Sequence, residues 1–579
     1  MSYAEIAKQP EALRTAPNLG DWAEERARWS WDSVAAELDM PDGLVNQAHE
    51  CIDRHAAATP DKVAMIWEAS DGTVESYSFD EMRRHSNRFA NALASLGIGK
   101  AERVFFFTDR IPELYFACFG TLKRGAIIAP LFSAFGPEPV KERIERAEGS
   151  VVVTTPNLLP KINAIRGELP SLRHVIVIDH LSKAEVADED LGYKDLVRDA
   201  SEEYEIERTG SEDWSVMHFT SGTTGLPKGA AHVHNAVVSH YATGKHVLDL
   251  HPDDVYWCTA DPGWVTGTSY GMFAPWSNGV TNLIYEGGFG ASRWYEVIAR
   301  HGVTVWYTAP TAIRLLMKAG SAVARRHDLS TLRYVMSVGE PLNPEGVVWG
   351  DEAFDLPIHD NWWQTETGAI MIANYIGMPI RPGSMGRPFP GIEAAIIDDE
   401  YRPVDEPMTE GQLAVRPGWP SMFRTYWNDQ ERYDSRFRGG WYLTGDRAKR
   451  DADGYFWFVG RDDDVINTAG HLVGPFEVES ALIEHDSVAE AGVIGKPDPV
   501  AMEIVKAFVS LVEGVEASDQ LRRELTRHCR ERLGPGVAPR EIEFIETLPK
   551  TRSGKIMRRL LKARELGLPE GDTSTLEDD

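Results

Sequence analysis

Residues 214–229 read WSVMHFTSGTTGLPKG, and the character of the chain changes abruptly within them. The apolar beginning has the composition of a buried strand, whereas small polar residues and glycines dominate the rest, which is too long for a simple turn. Glycines let backbone N–H groups converge on an anion, and Ser/Thr hydroxyls add further donors. Lys228 adds a positive charge. The stretch therefore predicts a strand that leads into a phosphate-binding loop.

This loop differs from the Walker pattern GxxxxGK[ST], because a proline precedes Lys228 and a glycine follows it. The alternative interpretation is a flexible surface loop. The apolar run before the loop favours the phosphate site, which needs a strand to deliver it.

Length, composition and charge limit the possible functions. The chain has 579 residues, of which 42% are hydrophobic and 26% charged, so we expect a globular protein with more than one domain. With 60 basic and 89 acidic residues, its formal net charge is −29. Such a surface repels polyanions, so the sequence predicts no nucleic-acid partner and no membrane partner.

The cysteines and the N-terminus indicate a cytoplasmic location. The four cysteines (Cys51, Cys118, Cys258 and Cys529) lie far apart and form no CxxC motif, which favours reduced thiols without a zinc site. The N-terminal MSYAEIAKQPEALRT lacks the apolar centre of a secretory signal. The longest apolar stretch, GAIIAPLFSAFG, is too short to cross a bilayer.

Helical and strand-like segments alternate from about residue 45 onwards. Short apolar runs such as VAMIWE, RVFFFT and VVVTT are separated by amphipathic segments such as DEMRRHSNRFANALASLGI. This alternation predicts an α/β fold with largely parallel sheets. Residues 22–41 look helical, and residues 409–417 and 454–470 look like a β-rich section.

The last hundred or so residues have the pattern of a separate, compact α+β unit. The charged sequence GRDDD at 460–464 is the best candidate for the joint. We therefore predict a large N-terminal domain of parallel α/β sheets with a β-rich subdomain (1–460), a hinge (461–463) and a small mobile α+β C-terminal domain (464–579).

Six motifs in fixed order resemble those of the adenylate-forming enzymes, the superfamily of acyl-CoA synthetases, luciferases and peptide-synthetase adenylation domains. After TSGTTGLPKG come SVGEPLNP (337–344), WWQTETG (362–368), YLTGD (442–446), GRDDDVINTAG (460–470) and PKTRSGKIMRR (549–559). The resemblance spans roughly residues 45–565. Within the superfamily, the sequence is most similar to the short form of AMP-forming acetyl-CoA synthetases.

The resemblance implies an attack of a carboxylate on the α-phosphate of ATP, in which negative charge must be stabilised. By resemblance, Lys555 on a mobile C-terminal segment and Thr220 at the start of the loop are catalytic. Glu366 is the expected Mg²⁺ ligand, because a hard carboxylate suits that ion. The alternatives without a catalytic role are an ordinary surface acid for Glu366 and a basic surface cluster for Lys555.

The same resemblance assigns the nucleotide and hinge contacts. Asp446 is expected to bind the ribose hydroxyls, Arg461 the ribose or phosphate, and Asp463 to act as the hinge. The complete set of expected ATP-binding residues is Ser221, Gly222, Thr223, Thr224, Gly225, Lys228, Gly339, Glu340, Pro341, Asp360, Asn361, Trp362, Trp363, Gln364, Thr365, Asp446 and Arg461.

The acyl and CoA contacts follow in the same way. The segment ADPGWVTGTSYG resembles the acyl-pocket segment of acetyl-CoA synthetases, and a bulky indole at the pocket floor suits an acid of two or three carbons. The expected acyl-binding residues are Trp264, Val265, Thr266, Val338 and Trp363, and the expected CoA-binding residues are Gly470 and Arg530. Leu472 occupies a position where this family often has an arginine, and an arginine–glycine loop is missing around 155–170.

The resemblance therefore implies an AMP-forming acetate–CoA ligase that uses ATP, Mg²⁺ and coenzyme A. A lysine acetyltransferase and deacetylase acting on Lys555 are possible protein partners. The alternatives are a ligase for propionate or another short or medium-chain acid, an adenylation enzyme that loads a carrier protein, and a non-catalytic nucleotide-binding regulator. Intact Glu366, Asp446 and Lys555 argue against the last of these.

Overall fold

The fold comes from a computed structural model that describes residues 3–8, 13–180, 190–220, 227–462, 464–468, 471–499, 501–551, 555–570, 573 and 576. It confirms the predicted fold class, with two largely parallel sheets, a β-rich subdomain and a C-terminal α+β unit. Among the described residues, every helix is too short or too polar to span a lipid bilayer.

An eight-stranded sheet presents the segment quoted above. Its central strands run parallel, and each is a short apolar run such as RVFFF, because helices cover both faces of the sheet. The strand order is Thr425–Tyr426, Lys228–Val233, Trp214–Thr220, Ile127–Pro130, Arg103–Phe107, Val151–Thr154, His174–Val177 and Leu191–Gly192. The first two strands are antiparallel additions at one edge.

A seven-stranded sheet is the second large sheet of the N-terminal domain. It is parallel except for its last strand, which pairs antiparallel with Val63–Glu68. The order is Ile358–His359, Tyr334–Ser337, Val305–Thr308, Val255–Cys258, Thr281–Tyr285, Val63–Glu68 and Val74–Ser78.

Two antiparallel sheets form the β-rich subdomain. The small one consists of Asn361–Trp362, Ile372–Ala373 and Arg387–Pro388. The larger one consists of Ala394–Ile397, Glu410–Val415, Trp441–Arg450, Phe437–Arg438 and Phe456–Arg461.

The C-terminal unit has its own sheet and its own apolar core. Its strands are His471–Val473, Ile466–Thr468, Met502–Leu511, Val488–Asp498 and Glu541–Phe544. The strand Phe456–Arg461 still pairs with the β-rich subdomain, whereas Ile466–Thr468 pairs within the C-terminal sheet. The chain therefore changes sheets between 461 and 466, and Asp463 lies outside the described residues.

Helices pack on both parallel sheets and on the C-terminal sheet. In Phe79–Ser95, Ser78 and Glu81 form a capping box that satisfies the first backbone N–H groups. The α-helices are Trp22–Arg28, Trp31–Ala35, Arg54–Ala58, Phe79–Ser95, Pro112–Lys123, Pro137–Ala147, Leu159–Asn163, Tyr193–Arg198, Ala236–His246, Val265–Thr268, Ala274–Ser277, Ala291–His301, Pro310–Ala319, Ser321–Ala324, Pro344–Phe354, Gln430–Ser435, Pro475–Ile483, Asp519–Leu533 and Arg558–Leu566. Wider π-turns at His49–Asp53 and Ser269–Phe273 continue into the helices that follow them.

The helical lead at residues 22–41 is two short helices rather than one. Trp29 has an extended backbone, and the Ser30 side chain caps the second helix by accepting from the Ser33 N–H. The break places the Trp29 ring 4.7 Å from the ring of Phe389. Packing of the indole onto the β-rich subdomain therefore prevails over a continuous helix.

One buried ion network ties two strands of the seven-stranded sheet together. Arg333 lies immediately before Tyr334–Ser337 and Asp254 immediately before Val255–Cys258. Arg333 Nη1 is 2.8 Å from Asp249 Oδ2, and its Nε is 3.0 Å from Asp254 Oδ1. All three side chains are almost fully buried.

Removal of Arg333 is expected to destabilise the fold strongly. Arg333→Ala leaves two buried carboxylates without their cation, which costs about 3–5 kcal/mol. Thermal unfolding should show a clear drop in the transition midpoint, whereas Arg326→Ala, at an exposed arginine nearby, should leave it unchanged. Equal midpoints for the two variants would contradict the role given to this network.

Candidate active site

The ends of two antiparallel strands flank the phosphate loop. Thr220 and Lys228 pair across the strands Trp214–Thr220 and Lys228–Val233. The loop between them lies outside the described residues, and with it the expected contacts Ser221, Gly222, Thr223, Thr224 and Gly225. The structure therefore fixes where the loop begins and ends.

Glu366 lies next to Lys228 and is only 8% exposed. Its Oε1 accepts a hydrogen bond of 2.7 Å from the hydroxyl of Tyr426, and the Lys228 ammonium lies 5.5 Å from the centre of the same ring. The Arg436 charge also acts on Tyr426, where it counteracts the rise in pKa that burial and Glu366 cause. One tyrosine thus connects the expected metal ligand with two cations.

More cations than anions lie in this region. Burial lowers the pKa of Lys228, and the positive charges of Arg432, Arg436 and Arg461 lower it further, while Glu366 acts in the opposite direction. Mutually repelling cations that remain together are stabilised by an anionic ligand. In a chain with a net charge of −29, this local excess of positive charge indicates a binding site for a polyanion.

Asp446 is the carboxylate expected to bind ribose. Its Oδ2 accepts from the indole N–H of Trp362 at 2.9 Å and from the side-chain amide of Gln364 at 2.8 Å. Arg461 Nη1 lies 3.4 Å from Oδ1. Burial raises the pKa of Asp446, and the Arg461 charge and both donors counteract that rise. Three expected nucleotide contacts therefore converge on one carboxylate.

A further hydrogen bond joins the two walls expected around the adenine. Asp360 Oδ2 accepts from the backbone N–H of Leu342 at 3.1 Å, which links Asp360–Trp362 to the turn Gly339–Pro341. Asp360 Oδ1 is buried and has no partner among the described residues. Burial raises the pKa of Asp360 to about 7. The hydrogen bond between Leu342 and Asp360 therefore holds the two expected walls together.

Glu340 and Gly339 complete the turn between these walls. Glu340 accepts from Thr311 Oγ1 and from Arg314 Nη2, both at 2.9 Å. Gly339 has a φ of +97°, which disfavours any residue with a Cβ, and open space lies where that Cβ would be. The backbone is thus shaped to let a flat ligand approach closely.

Two of the expected acyl-pocket residues share one core cluster. Val338 is buried in it, and the half-buried Trp363 packs against it. The Trp264 ring packs elsewhere, 5.2 Å from Phe132 and 5.9 Å from Phe135. Val265 and Thr266, both half-buried, begin the short helix Val265–Thr268. The pocket role of Trp264 remains a prediction.

Lys555 of the C-terminal unit reaches the nucleotide walls. Its backbone N–H donates to Thr551 Oγ1, and its carbonyl accepts from the Thr551 N–H, so the lysine backbone is fixed against Thr551. Glu340 and Asp446 attract its charge, while Arg461 and Arg558 repel it. Although the residue is exposed, desolvation by surrounding protein lowers the pKa of Lys555, and Arg461 lowers it further.

Direct contacts support this placement of the C-terminal unit. The Asn343 amide donates to Ser480 Oγ at 2.7 Å across the two units. Within the C-terminal unit, Glu479 pairs with both ends of the Arg558 guanidinium and so fixes the helix that follows Lys555. The C-terminal unit is therefore docked on the large domain, and the helix after Lys555 is fixed within that unit.

The expected CoA contacts are outside this cluster. Arg530 is an exposed residue in the last turn of Asp519–Leu533. Gly470 lies outside the described residues. Both assignments therefore remain predictions.

Sequence reasoning missed several side chains that organise the site. Tyr426, Arg436 and Tyr442 surround Glu366 and Gln364, and the Tyr442 hydroxyl donates to Gln364 Oε1 at 3.0 Å. Tyr442 opens the motif YLTGD and could have been noticed there. Tyr426 reaches Glu366 only because Thr425–Tyr426 pairs with Ala230–Ala231 at the edge of the eight-stranded sheet.

Comparisons with known proteins agree with this arrangement. A family model described as "AMP-binding enzyme" matches residues 52–427, well over half of the chain. The chain belongs to this AMP-binding enzyme family. A second model, "AMP-binding enzyme C-terminal domain", matches residues 477–555 of this AMP-binding enzyme, and that match ends at Lys555. The resemblance to adenylate-forming enzymes is thus confirmed.

Named relatives and solved structures cover nearly the whole AMP-binding enzyme. An acetyl-coenzyme A synthetase of Bacillus subtilis is 52% identical over 98% of this chain and 99% of its own length. An acetyl-coenzyme A synthetase of Methanothrix thermoacetophila is 41% identical over 99% of this chain and 94% of its own length. The crystal structure of a Brucella canis acyl-CoA synthetase has a TM-score of 0.75 at 37% identity. The match covers 95% of this chain and 99% of that protein. The crystal structure of an anthranilate CoA ligase in complex with anthranoyl-AMP has a TM-score of 0.84 at 32% identity. The match covers 92% of this chain and 99% of that protein.

Asp446→Ala is expected to weaken AMP binding at least tenfold. The substitution removes the carboxylate on which Trp362, Gln364 and Arg461 converge, and hydrogen bonds to charged groups contribute about 1.5–3 kcal/mol each. Isothermal titration with AMP measures the effect. Asp405→Ala, at an exposed carboxylate of the same subdomain, serves as the control. Equal dissociation constants for both variants would exclude Asp446 from the nucleotide site.

Proposed function

We propose that this protein is an AMP-forming acetate–CoA ligase. In the first half-reaction, an acetate oxygen attacks the α-phosphorus of ATP, which forms acetyl-AMP and releases pyrophosphate. In the second, the sulfur of CoA attacks the acyl carbon, which forms acetyl-CoA and releases AMP. The identity of 52% over nearly the full length with an acetyl-coenzyme A synthetase supports acetate over longer acids and over a carrier protein.

The observation that carries the first half-reaction is the docking of the C-terminal unit on the large domain, where the Asn343 amide donates to Ser480 Oγ at 2.7 Å and Glu340 and Asp446 attract the charge of Lys555. Charge builds up on the phosphate oxygens as the carboxylate attacks, and a preorganised cation next to them lowers the barrier. Lys555 would supply this charge from the C-terminal unit, and Arg461 would supply a second. Thr220 and Lys228, at the two ends of the phosphate loop, would hold the β- and γ-phosphates.

Glu366 fits the role of a Mg²⁺ ligand. It is a hard oxygen donor beside the cationic cluster, and its carboxylate is fixed by Tyr426. Among the described residues, no group of three or more acidic, histidine or cysteine side chains could hold a metal ion by itself. Glu366 would therefore hold Mg²⁺ jointly with phosphate oxygens of ATP, where the ion would neutralise part of the phosphate charge.

The residues expected around the nucleotide would bind both its ribose and its adenine. Asp446 would accept hydrogen bonds from the ribose hydroxyls with its remaining lone pairs. The adenine would lie between Gly339–Pro341 and Asp360–Trp362, which the hydrogen bond from the Leu342 N–H to Asp360 Oδ2 holds together. Trp362 is held by its bond to Asp446, so its indole would offer a fixed aromatic wall.

Regulation and location complete the proposal. Acetylation of Lys555 by an acetyltransferase would remove the charge that adenylation needs, and a deacetylase would restore it. Surrounding protein desolvates Lys555 in this arrangement, so such enzymes would reach it when the C-terminal unit moves away from the large domain. The four buried, unpaired cysteines support a reducing, cytoplasmic location.

A panel of carboxylic acids tests the proposed substrate. We expect pyrophosphate release with ATP to be fastest for acetate, slower for propionate and weak for butyrate, with thioester and AMP formed when CoA is added. Trp363→Gly should shift the preference towards the longer acids, because it removes the indole expected at the pocket floor. Fastest turnover of a longer acid by the unaltered enzyme would contradict the acetate assignment. Pyrophosphate release without thioester formation would favour a carrier-loading enzyme.

A further inference from the structure

The indole of Trp363 is held in one orientation by Tyr307. The Trp363 Nε1–H donates to the Tyr307 hydroxyl at 3.3 Å. The Tyr307 O–H donates in turn to Asn361 Oδ1 at 3.1 Å, and the Asn361 amide donates to the Ser337 carbonyl at 2.6 Å. Each side chain in this series of hydrogen bonds thus orients the next one.

Tyr307, which fixes this series of hydrogen bonds, is held rigidly. Tyr307 lies on Val305–Thr308, which has parallel neighbours on both sides in the seven-stranded sheet, and it is fully buried. Burial raises the pKa of the Tyr307 hydroxyl, so it keeps its proton and can donate and accept at once. A close-packed strand at the centre of a sheet gives the hydroxyl little freedom to move.

A second tyrosine supports the indole from another side. The Tyr270 ring meets the Trp363 ring nearly edge-on at 5.1 Å and the Tyr307 ring at 5.5 Å. The Tyr270 hydroxyl accepts from the Ile370 N–H at 2.6 Å and bonds with Thr243 Oγ1 at 2.9 Å. The indole therefore rests on an aromatic wall that is itself fixed by hydrogen bonds.

We propose that Tyr307 is a positioning residue that sets the chain-length preference of the enzyme through Trp363. This inference rests on the proposed function, in which Trp363 closes the acyl pocket. A pocket rejects one extra methylene by about 10–200-fold only when its wall cannot yield. The torsion that turns an indole is intrinsically broad, so the hydrogen bond to Tyr307 supplies the constraint.

Tyr307→Phe tests the inference by removing a single oxygen atom. We expect the ratio of kcat/KM for propionate to that for acetate to rise about two- to tenfold, the range of one net hydrogen bond. Tyr295→Phe is the matched control, because Tyr295 is also fully buried and its hydroxyl has no hydrogen-bond partner among the described residues. It should leave the ratio unchanged.

The same series in a Trp363→Gly background separates this inference from the proposed function. If Tyr307 acts through the indole, Tyr307→Phe has no further effect on the ratio once the indole is gone. An unchanged ratio in the single variant, or an equal rise in both backgrounds, would overturn the role of Tyr307. If Trp363→Gly alone leaves the ratio unchanged, the acyl pocket itself is misassigned, and the inference is overturned with it.

Thermal unfolding of both phenylalanine variants shows whether the fold is retained. If Tyr307→Phe does not fold, Asn361→Ala replaces it in the series, because it removes the acceptor that orients the Tyr307 hydroxyl, and the ratio of the two acids cancels any effect on ATP. A propionate-to-acetate ratio equal to that of the unaltered enzyme would then overturn the inference.

Discussion

The docking of the C-terminal unit against the nucleotide walls, which brings the Lys555 charge under the influence of Asp446 and Glu340, is the constraint on which the proposed chemistry depends. Asp446 belongs to the β-rich subdomain and the lysine to the C-terminal unit, so the site has its full set of charges only when the two units are in contact. Asn343 and Ser480 make a direct hydrogen bond across the same boundary. A catalytic charge on a separate unit can be supplied for one half-reaction and withdrawn for the next.

The remaining charges are arranged by sheet geometry. Antiparallel pairing places Thr220 opposite Lys228, and the edge strand Thr425–Tyr426 then brings Tyr426 to Glu366. Trp362 and Asp446 lie on strands of two different sheets, yet the indole N–H and the carboxylate meet at 2.9 Å. Hydrogen bonds between sheets therefore align the phosphate, ribose and acyl parts of the site.

Much of this could be predicted from the sequence, because the signals are local. Short apolar runs between amphipathic helices indicated the parallel sheets, and contiguous motifs contained Glu366 and Asp446. The contacts of Tyr426, Arg436 and Tyr307 could not be predicted, since they depend on strand order and on pairing between distant segments. The ring contacts of Trp264 with Phe132 and Phe135 were equally outside the reach of the sequence, and the pocket role that a motif suggested for Trp264 stays a prediction.

The most direct test of the account separates the two half-reactions of a Lys555→Ala variant. Acetate-dependent pyrophosphate release should fall by about 100-fold or more, the usual loss when a preorganised charge is removed from a transition state. Conversion of supplied acetyl-AMP and CoA into acetyl-CoA should stay within about twofold of the unaltered enzyme, because that step does not need the lysine. Pyrophosphate release at full speed in the variant would contradict the central claim.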